Sequence, residues 1–126
     1  MYRKVENVDY ADHYQQIHEQ LRSAIRAVLF DESDQVWYDY NIVTEAAHNK
    51  RWYPSNIAPL YVKCHHHDLN TNHTVQYIIK NTVNHTGGVP TSLEKTHQQW
   101  DLPNTWPPLV EMVVTALENV SKIKQK

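Results

Sequence analysis

The stretch QQWDLPNTWPP at residues 98–108 is the most informative part of this 126-residue sequence. It contains two tryptophans, an aspartate, an asparagine and three prolines, and an amphipathic segment follows it. Proline fixes φ and removes a hydrogen-bond donor, so the stretch predicts a stiff loop. Composition alone favours an elbow whose tryptophans fill the core below a helix. The other interpretation is a wall of a sugar pocket, because indole faces stack on sugar rings while Asp, Asn and Gln hydrogen-bond hydroxyls.

Residues 99–108, QWDLPNTWPP, closely resemble a signature decapeptide of the trehalases, glycoside hydrolase family 37. Three further segments resemble parts of the same family, in the same order along the chain. They are LFDESDQVWYDY at 29–40, YPSNIAPL at 53–60 and GGVPTS at 87–92. The resemblance covers nearly the whole chain, and it is most specific between residues 53 and 108.

The resemblance implies an all-α fold, namely part of an (α/α)6 barrel built from consecutive helical hairpins. Since a trehalase barrel is several times longer than this chain, we expect residues 1–126 to be a partial, incomplete catalytic domain. We also expect apolar helix faces to be exposed where the rest of the barrel would cover them. The first residues show no signal peptide, and no apolar run approaches the roughly 18 residues of a membrane span. Any secretion signal or membrane tail is therefore expected outside this sequence.

Apolar residues recur at three- and four-residue steps in three segments, which predicts amphipathic helices at residues 9–29, at 68–83 and from 107 onward. The expected buried stripes are Tyr10, Tyr14, Ile17, Leu21, Ile25 and Val28 in the first; Val75, Ile78, Ile79 and Thr82 or Val83 in the second; and Leu109, Met112, Val113, Ala116, Leu117 and Val120 in the third.

The segments between these helices are shorter or more polar. In chain order we expect an extended segment at 35–40, a polar connection at 41–51, a short helix running through 60–63, and a loop at 87–106 that carries the signature. We call residues 87–106 the signature loop. In an α/α barrel the longer loops gather on one face and build the pocket. We therefore expect the 41–51 connection and the signature loop to share that face.

The activity that the resemblance implies is hydrolysis of α,α-trehalose to two glucose molecules with inversion. An inverting glycosidase uses a protonated carboxylic acid and a carboxylate base about 6.5–9.5 Å apart. In the family, the acid lies in a Gly-Trp-Asp segment upstream of the matched region, and the base is a glutamate downstream of the helix after the signature. Neither motif occurs in this sequence. We therefore assign no catalytic residue here, and the alternative is a non-catalytic helical module that binds a sugar or a partner.

The candidate substrate-binding residues all lie in the signature: Gln99, Trp100, Asp101, Asn104 and Trp106. We expect Gln99 and Asn104 to make the direct contacts to sugar hydroxyls. For Asp101 we favour a structural role over a contact with glucose, and it is not the family's acid. Trp100 and Trp106 have the same two interpretations, because a large aromatic residue beside a helix start commonly fills the core.

Two residues depart from the family pattern within and beside the signature. Thr105 stands where relatives carry a small residue, and its hydroxyl could cap the following helix. His97 stands where relatives commonly carry Gly. If that position needs a positive φ, a histidine there costs on the order of 1 kcal/mol.

Composition excludes several other classes of function. Twelve basic against fourteen acidic residues give a net charge of −2, with no nucleic-acid footprint. Consecutive histidines, here His65 to His67, diverge in both helices and strands, so we expect a polar surface loop and no metal site. The resemblance implies no cofactor, a single small-molecule partner (trehalose), and no membrane contact within this sequence.

Three sequons give a hint about the compartment: Asn72-His73-Thr74, Asn84-His85-Thr86 and Asn119-Val120-Ser121. Asn119 falls in a predicted helix, whereas Asn72 and Asn84 lie near predicted loops and are the glycosylation candidates. Chance in an Asn- and Thr-rich chain is the alternative explanation. Together with the resemblance, the sequons predict an extracellular or luminal protein.

Overall fold

The computed structural model describes residues 8–47 and 49–123, and this part of the chain is rich in helices, as the sequence predicts. In chain order the elements are α1 (Val8–Leu29), β1 (Phe30–Asp31), β2 (Val36–Trp37), β3 (Tyr40–Asn41), β4 (Ala46–Ala47), a 3₁₀ helix (Pro54–Ile57), α2 (Ala58–Tyr61), α3 (Thr71–Thr82) and α4 (Pro107–Ile123).

Two small antiparallel hairpins, with strands of two residues each, accompany the helices. β1 pairs with β2, so that Phe30 lies opposite Trp37, and β3 pairs with β4, so that Tyr40 lies opposite Ala47. The second hairpin lies where the sequence predicted only a polar connection. Both hairpins have the same local cause. A side-chain oxygen at the end of the first strand binds the turn, and the residue four positions later has a left-handed backbone.

The turn chemistry of the two hairpins is the same at each step. In the first turn Asp31 Oδ1 accepts the backbone N–H groups of the residues two and three positions on, at 3.0 and 2.9 Å. In the second turn Asn41 Oδ1 does the same at 2.9 and 3.2 Å. Gln35 (φ 56°) and Glu45 (φ 51°) then bring the chain back. Such Asx turns end each first strand without needing a glycine.

A short helical segment at 54–61 begins earlier than the sequence predicts and ends at Tyr61. Pro54 starts the 3₁₀ helix, where a missing N–H costs nothing. Asn56 is buried and fixes the segment from both sides. Its Oδ1 accepts the Tyr53 N–H at 2.6 Å, and its Nδ2 donates to the Trp37 carbonyl at 2.9 Å.

The hydrophobic core lies where this short segment meets the two later helices. Its buried members are Trp37, Trp52, Ile57, Leu60, Leu69, Ile78, Val113, Ala116 and Val120. Burial on this scale is the main favourable contribution to folding. Asn119 of α4 is also buried and donates from Nδ2 to the carbonyls of Leu60 and Tyr61, at 2.9 and 3.2 Å. The amide of the third sequon is therefore engaged inside the fold.

The stripe predicted for α4 is confirmed, whereas the one predicted for α3 is partly wrong. Val113, Ala116 and Val120 are buried in α4, and Leu109, Met112 and Leu117 are partly buried. In α3 the fully buried positions are Thr74, Ile78 and Thr82. Ile79, which was expected in the stripe, is exposed, and of the two alternatives Thr82 and Val83 the buried residue is Thr82. A polar contact holds the face of α3 that carries Thr74 against the rest of the chain, because the Thr74 hydroxyl donates to the Gln35 carbonyl at 2.9 Å.

The helix α1 contacts the core through its C-terminal end only. Ile25 and Leu29 pack against the core, whereas four members of the predicted stripe are half exposed, at 49–56%: Tyr10, Tyr14, Leu21 and Val28. The stripe is therefore a surface of this chain, as expected for a part of a larger helical domain. Among the described residues, no helix is both long enough and apolar enough to cross a membrane.

Candidate functional site

The signature loop is anchored to the core along its inner side. Trp52 is 2% exposed, and its Nε1 donates to the Pro90 carbonyl at 2.8 Å. Pro90 also pairs with Thr105 in an isolated antiparallel bridge. The Thr105 hydroxyl donates to the Gly87 carbonyl at 2.9 Å, so it closes the loop onto its own start and does not cap α4 as suggested. The backbone position of the signature is therefore set by one buried indole and one strand-like bridge.

Three places in this loop depart from an ordinary chain: a close approach at Gly87, a cis peptide bond and a left-handed residue. A Cβ at Gly87 would lie 2.8 Å from the Pro103 carbonyl oxygen, so only glycine allows this approach. The Leu102–Pro103 peptide bond is cis. His97 has φ 66°, which confirms that the position where relatives carry Gly is left-handed. The histidine therefore carries the conformational cost that the sequence predicted.

Asp101 is bound on both carboxylate oxygens by hydroxyls of the same loop. Oδ1 accepts the hydroxyl of Ser92, which is 1% exposed, and Oδ2 accepts the hydroxyl of Thr96. The hydroxyl of Ser92, and next that of Thr96, lower the pKa of Asp101. The carboxylate is therefore an ionised acceptor, and it does not suit the protonated acid of a glycosidase. This geometry agrees with the structural role that the sequence favoured.

Glu94 links the signature loop to the end of the 41–51 connection. Arg51 Nη1 lies 2.5 Å from Glu94 Oε1, and the Glu94 carbonyl accepts the Leu102 N–H at 2.9 Å. The two connections thus meet at Arg51. The sequence offered no signal for this pair or for the Ser92 and Thr96 contacts, because each depends on how the loop folds back on itself.

The outer side of the loop carries the aromatic residues and the amides. Trp100 and Trp106 stack with ring centroids 4.3 Å apart and an interplanar angle of 30°. The Gln99 carbonyl accepts from Trp106 Nε1 at 3.2 Å and from Asn104 Nδ2 at 3.1 Å. Trp100 is 54% exposed. Four of the five predicted residues thus form one cluster, which we call the signature cluster: Gln99, Trp100, Asn104 and Trp106. They leave an indole face and two amide side chains at the surface.

Asp101 is the one predicted residue that lies outside this cluster, although it is between its members in sequence. Its side chain faces Ser92 and Thr96, whereas the neighbouring Trp100 faces Trp106. The expectation that the tryptophans fill the core holds for neither, because Trp106 is partly buried and Trp100 is largely open. The cluster therefore presents the chemistry of a carbohydrate contact, which is an aromatic face flanked by donors and acceptors.

A cavity of about 550 Å³ lies on another side of the same loop, and none of the five predicted residues lines it. His85 and Gly87 border it from the loop start, and Lys95 and His97 from the middle. The sequon residue Asn84 also lines it.

The three consecutive histidines have different surroundings. His66 is buried and lies edge-on to Phe30, with centroids 4.2 Å apart. Burial lowers the pKa of His66, with a further lowering from the Arg26 charge. His67 Nε2 lies 3.2 Å from Arg22 Nη1 instead. Within the described residues no group of three or more His, Cys, Asp or Glu side chains could hold a metal ion.

Comparison with known proteins identifies the family. A sequence profile of the family described as Trehalase matches residues 1–126. The chain belongs to the trehalase family. It is 36% identical to the trehalase of Oryctolagus cuniculus over 117 residues, 39% to that of Bombyx mori over 114, and 35% to that of Homo sapiens over 117.

These alignments cover most of this chain and little of each trehalase. They include 92%, 87% and 92% of the present residues, in the same order, and 20% of each relative. The chain thus spans about one fifth of the length of the trehalases it matches. Its signature cluster therefore belongs to a segment that corresponds to about one fifth of each of these trehalases.

Proposed function

We propose that this chain contributes one wall of the trehalose pocket to a longer trehalase-type, inverting glycosidase. In that enzyme residues 1–126 would form part of an (α/α)6 barrel and a partial catalytic domain. The observation that carries the proposal is the half-exposed, stacked Trp100–Trp106 pair within the family's signature. The uncovered apolar stripe of α1 supports the barrel, because a neighbouring helix would bury it.

Each residue of the cluster has a role that follows from its contacts. The exposed face of Trp100 packs against the C–H face of one glucose ring, and Trp106 supports it from behind. The Gln99 side-chain amide donates hydrogen bonds to sugar hydroxyls and accepts them, whereas Asn104 Oδ1 only accepts them, since Asn104 Nδ2 already holds the loop. Asp101 positions the cluster through Ser92 and Thr96, at the point where the chain turns toward Trp100.

The proton transfers belong to carboxylates elsewhere in the longer enzyme. Asp101 is held ionised by two hydroxyls, and a general acid must be protonated at the working pH. We therefore infer that these 126 residues release no glucose from trehalose on their own. The same carboxylate-free cluster would still recognise trehalose, because recognition needs only the aromatic face and the amides.

The sequons fit a trehalase-type protein in an extracellular or luminal compartment. Asn84 is exposed just after α3, and Asn72 is exposed in the first turn of α3. Asn119 is buried and engaged, so it is a poor acceptor. Expression through a secretory pathway should therefore add glycans at Asn84 and Asn72 and leave Asn119 unmodified, as read by mass spectrometry after enzymatic glycan release.

The proposal is tested by placing the segment in an active enzyme. Residues 1–126 replace the aligned part of the Bombyx mori trehalase, and kcat/KM for trehalose is measured. Changing Trp100 to Ala in this chimaera should lower kcat/KM by roughly ten- to a hundredfold, since one sugar-stacking contact is lost. Trp100→Phe should recover part of the loss, because a smaller aromatic face remains.

The matched control is Val114→Ala, which truncates another half-exposed apolar residue on the surface of α4. It should leave kcat/KM unchanged. An active chimaera in which Trp100→Ala has no effect would remove Trp100 from the pocket. Glucose release by the 126-residue chain alone would show that both catalytic carboxylates lie inside it, and would contradict the proposed division of roles.

A further inference from the structure

A second cavity, of about 780 Å³, lies between the middle of α1, the segment after α2 and the end of α4. Among the described residues that line it, five carry basic side chains and none carries a carboxylate. The basic residues are Arg22, Lys63, His65, His67 and Lys122. We call this the basic cavity. Three of them, Arg22, Lys63 and Lys122, are cations, which is a local concentration of positive charge in a chain whose net charge is −2 with histidines counted as neutral.

The basic cavity is far from the signature cluster. The signature ends at Pro108 in the first turn of α4, which begins at Pro107, and Lys122 lies in the last turn of the same helix. At 1.5 Å per residue the two ends are separated by about 23 Å. A ligand of the basic cavity therefore would not touch the residues that we propose for trehalose binding.

The cations of the cavity are held in different ways. Arg22 is fixed on one side by Glu19, which binds Nη2, and its Nη1 points to His67 Nε2 at 3.2 Å. Lys63 and Lys122 form no ion pair with any residue of the described chain. Lys122 has an ordinary explanation, because cations complement the dipole at a helix C-terminus. The helix dipole does not explain the position of Lys63. The backbone conformation at Lys63 places this residue at the edge of the cavity.

The backbone at Lys63 is left-handed, with φ 59°. It is locked there by two hydrogen bonds, from Lys63 N to the Leu60 carbonyl at 3.2 Å and from Cys64 N to the Pro59 carbonyl at 2.7 Å. At the floor, Asn119 is fixed by its bonds to two α2 carbonyls. Hydrogen bonds within the chain therefore fix the backbone of Lys63 and the side chain of Asn119 in the absence of a ligand.

We propose that the basic cavity binds a small soluble anion that carries phosphate groups. Lysine ammonium groups and an arginine edge are the usual partners of phosphate oxygens in proteins, and imidazole N–H groups are additional donors. The volume exceeds what a single inorganic phosphate needs, so a diphosphate or a small phosphate ester suits it. Its concave shape distinguishes it from a flat basic surface, which would attract anions without a defined stoichiometry.

The test is calorimetric titration of the 126-residue chain with inorganic pyrophosphate, at a constant low ionic strength maintained with chloride. We expect saturable binding of one pyrophosphate per chain. The double variant Lys63→Asn and Lys122→Gln should weaken binding about tenfold or more, since each lost charged hydrogen bond costs roughly a factor of ten. Asn tolerates the left-handed backbone at position 63, and both lysines are exposed, so folding is preserved.

The matched control is Lys80→Gln with Lys95→Gln, which removes two exposed cations from α3 and the signature loop. It should change the affinity by less than about twofold, because screening limits distant charges. Absence of saturable binding, or an equal loss in both double variants, would overturn the proposal. Each variant's circular dichroism spectrum and melting curve confirm that the comparison is made between folded chains.

Discussion

The two sides of the signature loop differ in what surrounds their tryptophans. On the inner side Trp52 is 2% exposed, and its N–H is bound to the Pro90 carbonyl. On the outer side Trp100 is 54% exposed and contacts one other indole, that of Trp106. Side chains of one residue type thus have opposite surroundings on the two sides of one loop. The inner side contributes stability, and the outer side is available to a ligand.

The polar groups follow the same division. The inward carboxylate of Asp101 is fully engaged by Ser92 and Thr96. Within the described residues, the outward side-chain amide of Gln99 makes no hydrogen bond. Only the backbone carbonyl of Gln99 accepts hydrogen bonds. Groups that are already satisfied hold a loop in place, whereas groups left open can exchange water for ligand hydroxyls. The role of a polar side chain in this loop therefore depends on whether it already has a hydrogen-bond partner, and not on its residue type.

The largest expected effect is on the inner side. Trp52→Ala should lower the free energy of unfolding by about 3–5 kcal/mol, because it opens a large core cavity. Trp100→Ala should cost about 1 kcal/mol or less, which is the worth of one aromatic pair. Urea denaturation followed by circular dichroism measures both. Equal losses would abolish the distinction between the two sides.

Ser92 should have the next effect, because its hydroxyl is buried and links two parts of the loop. It donates to Asp101 and accepts the Glu94 N–H at 3.3 Å. Ser92→Ala should cost about 1–2 kcal/mol in the same denaturation experiment, since a buried donor and acceptor are lost together. Exposed Ser55→Ala is the control and should be close to neutral. A neutral Ser92→Ala would mean that the hydroxyl does not hold the loop.

Asp101 should show its role in the pH dependence of stability. Its pKa is lowered in the folded chain, so its contribution is fully present above the unfolded value of about 3.9 and is lost as pH falls through the folded value. Asp101→Asn should therefore flatten the loss of stability between about pH 4 and the lowered pKa. Melting temperatures across this range measure it. An unchanged acid limb would separate Asp101 from the loop's stability.

The smallest expected effect is a gain at His97. Its left-handed backbone favours glycine, so His97→Gly should stabilise the chain by about 0.5–1 kcal/mol. His85→Gly is the matched control in the same loop region, because His85 lacks a positive φ, and it should destabilise or be neutral. A loss of stability at His97 would show that its side chain makes contacts worth more than the strain.

The features of the fold that depend on residues close together in the sequence could mostly be predicted. Helical periodicity predicted α4 and its stripe, and the resemblance raised a positive φ at His97 as a condition that the structure meets. The second hairpin was missed, although Asn41 has the same turn chemistry as Asp31. Periodicity could not reveal it, because its tip residues Ile42 and Val43 are apolar and yet 82% and 86% exposed.

The rest depended on contacts between distant segments. Ile79 looks like a core residue in a helical pattern, but α3 buries the face that carries Ile78 and Thr74, whose hydroxyl donates to the Gln35 carbonyl. Composition placed Trp100 and Trp106 in the core by default. The outward position of Trp100 follows from the inward attachment of the loop through Pro90 and Asp101, which no residue pattern encodes.

The most direct test of the central claim uses the four indole N–H signals of the chain, from Trp37, Trp52, Trp100 and Trp106. They are assigned by single Trp→Phe variants and followed by two-dimensional nuclear magnetic resonance as trehalose is added. We predict saturable shifts of the Trp100 and Trp106 signals, with the buried Trp37 and Trp52 signals unmoved. Shifts of all four signals together, or none at high trehalose concentration, would contradict the assignment of the outer side to sugar binding.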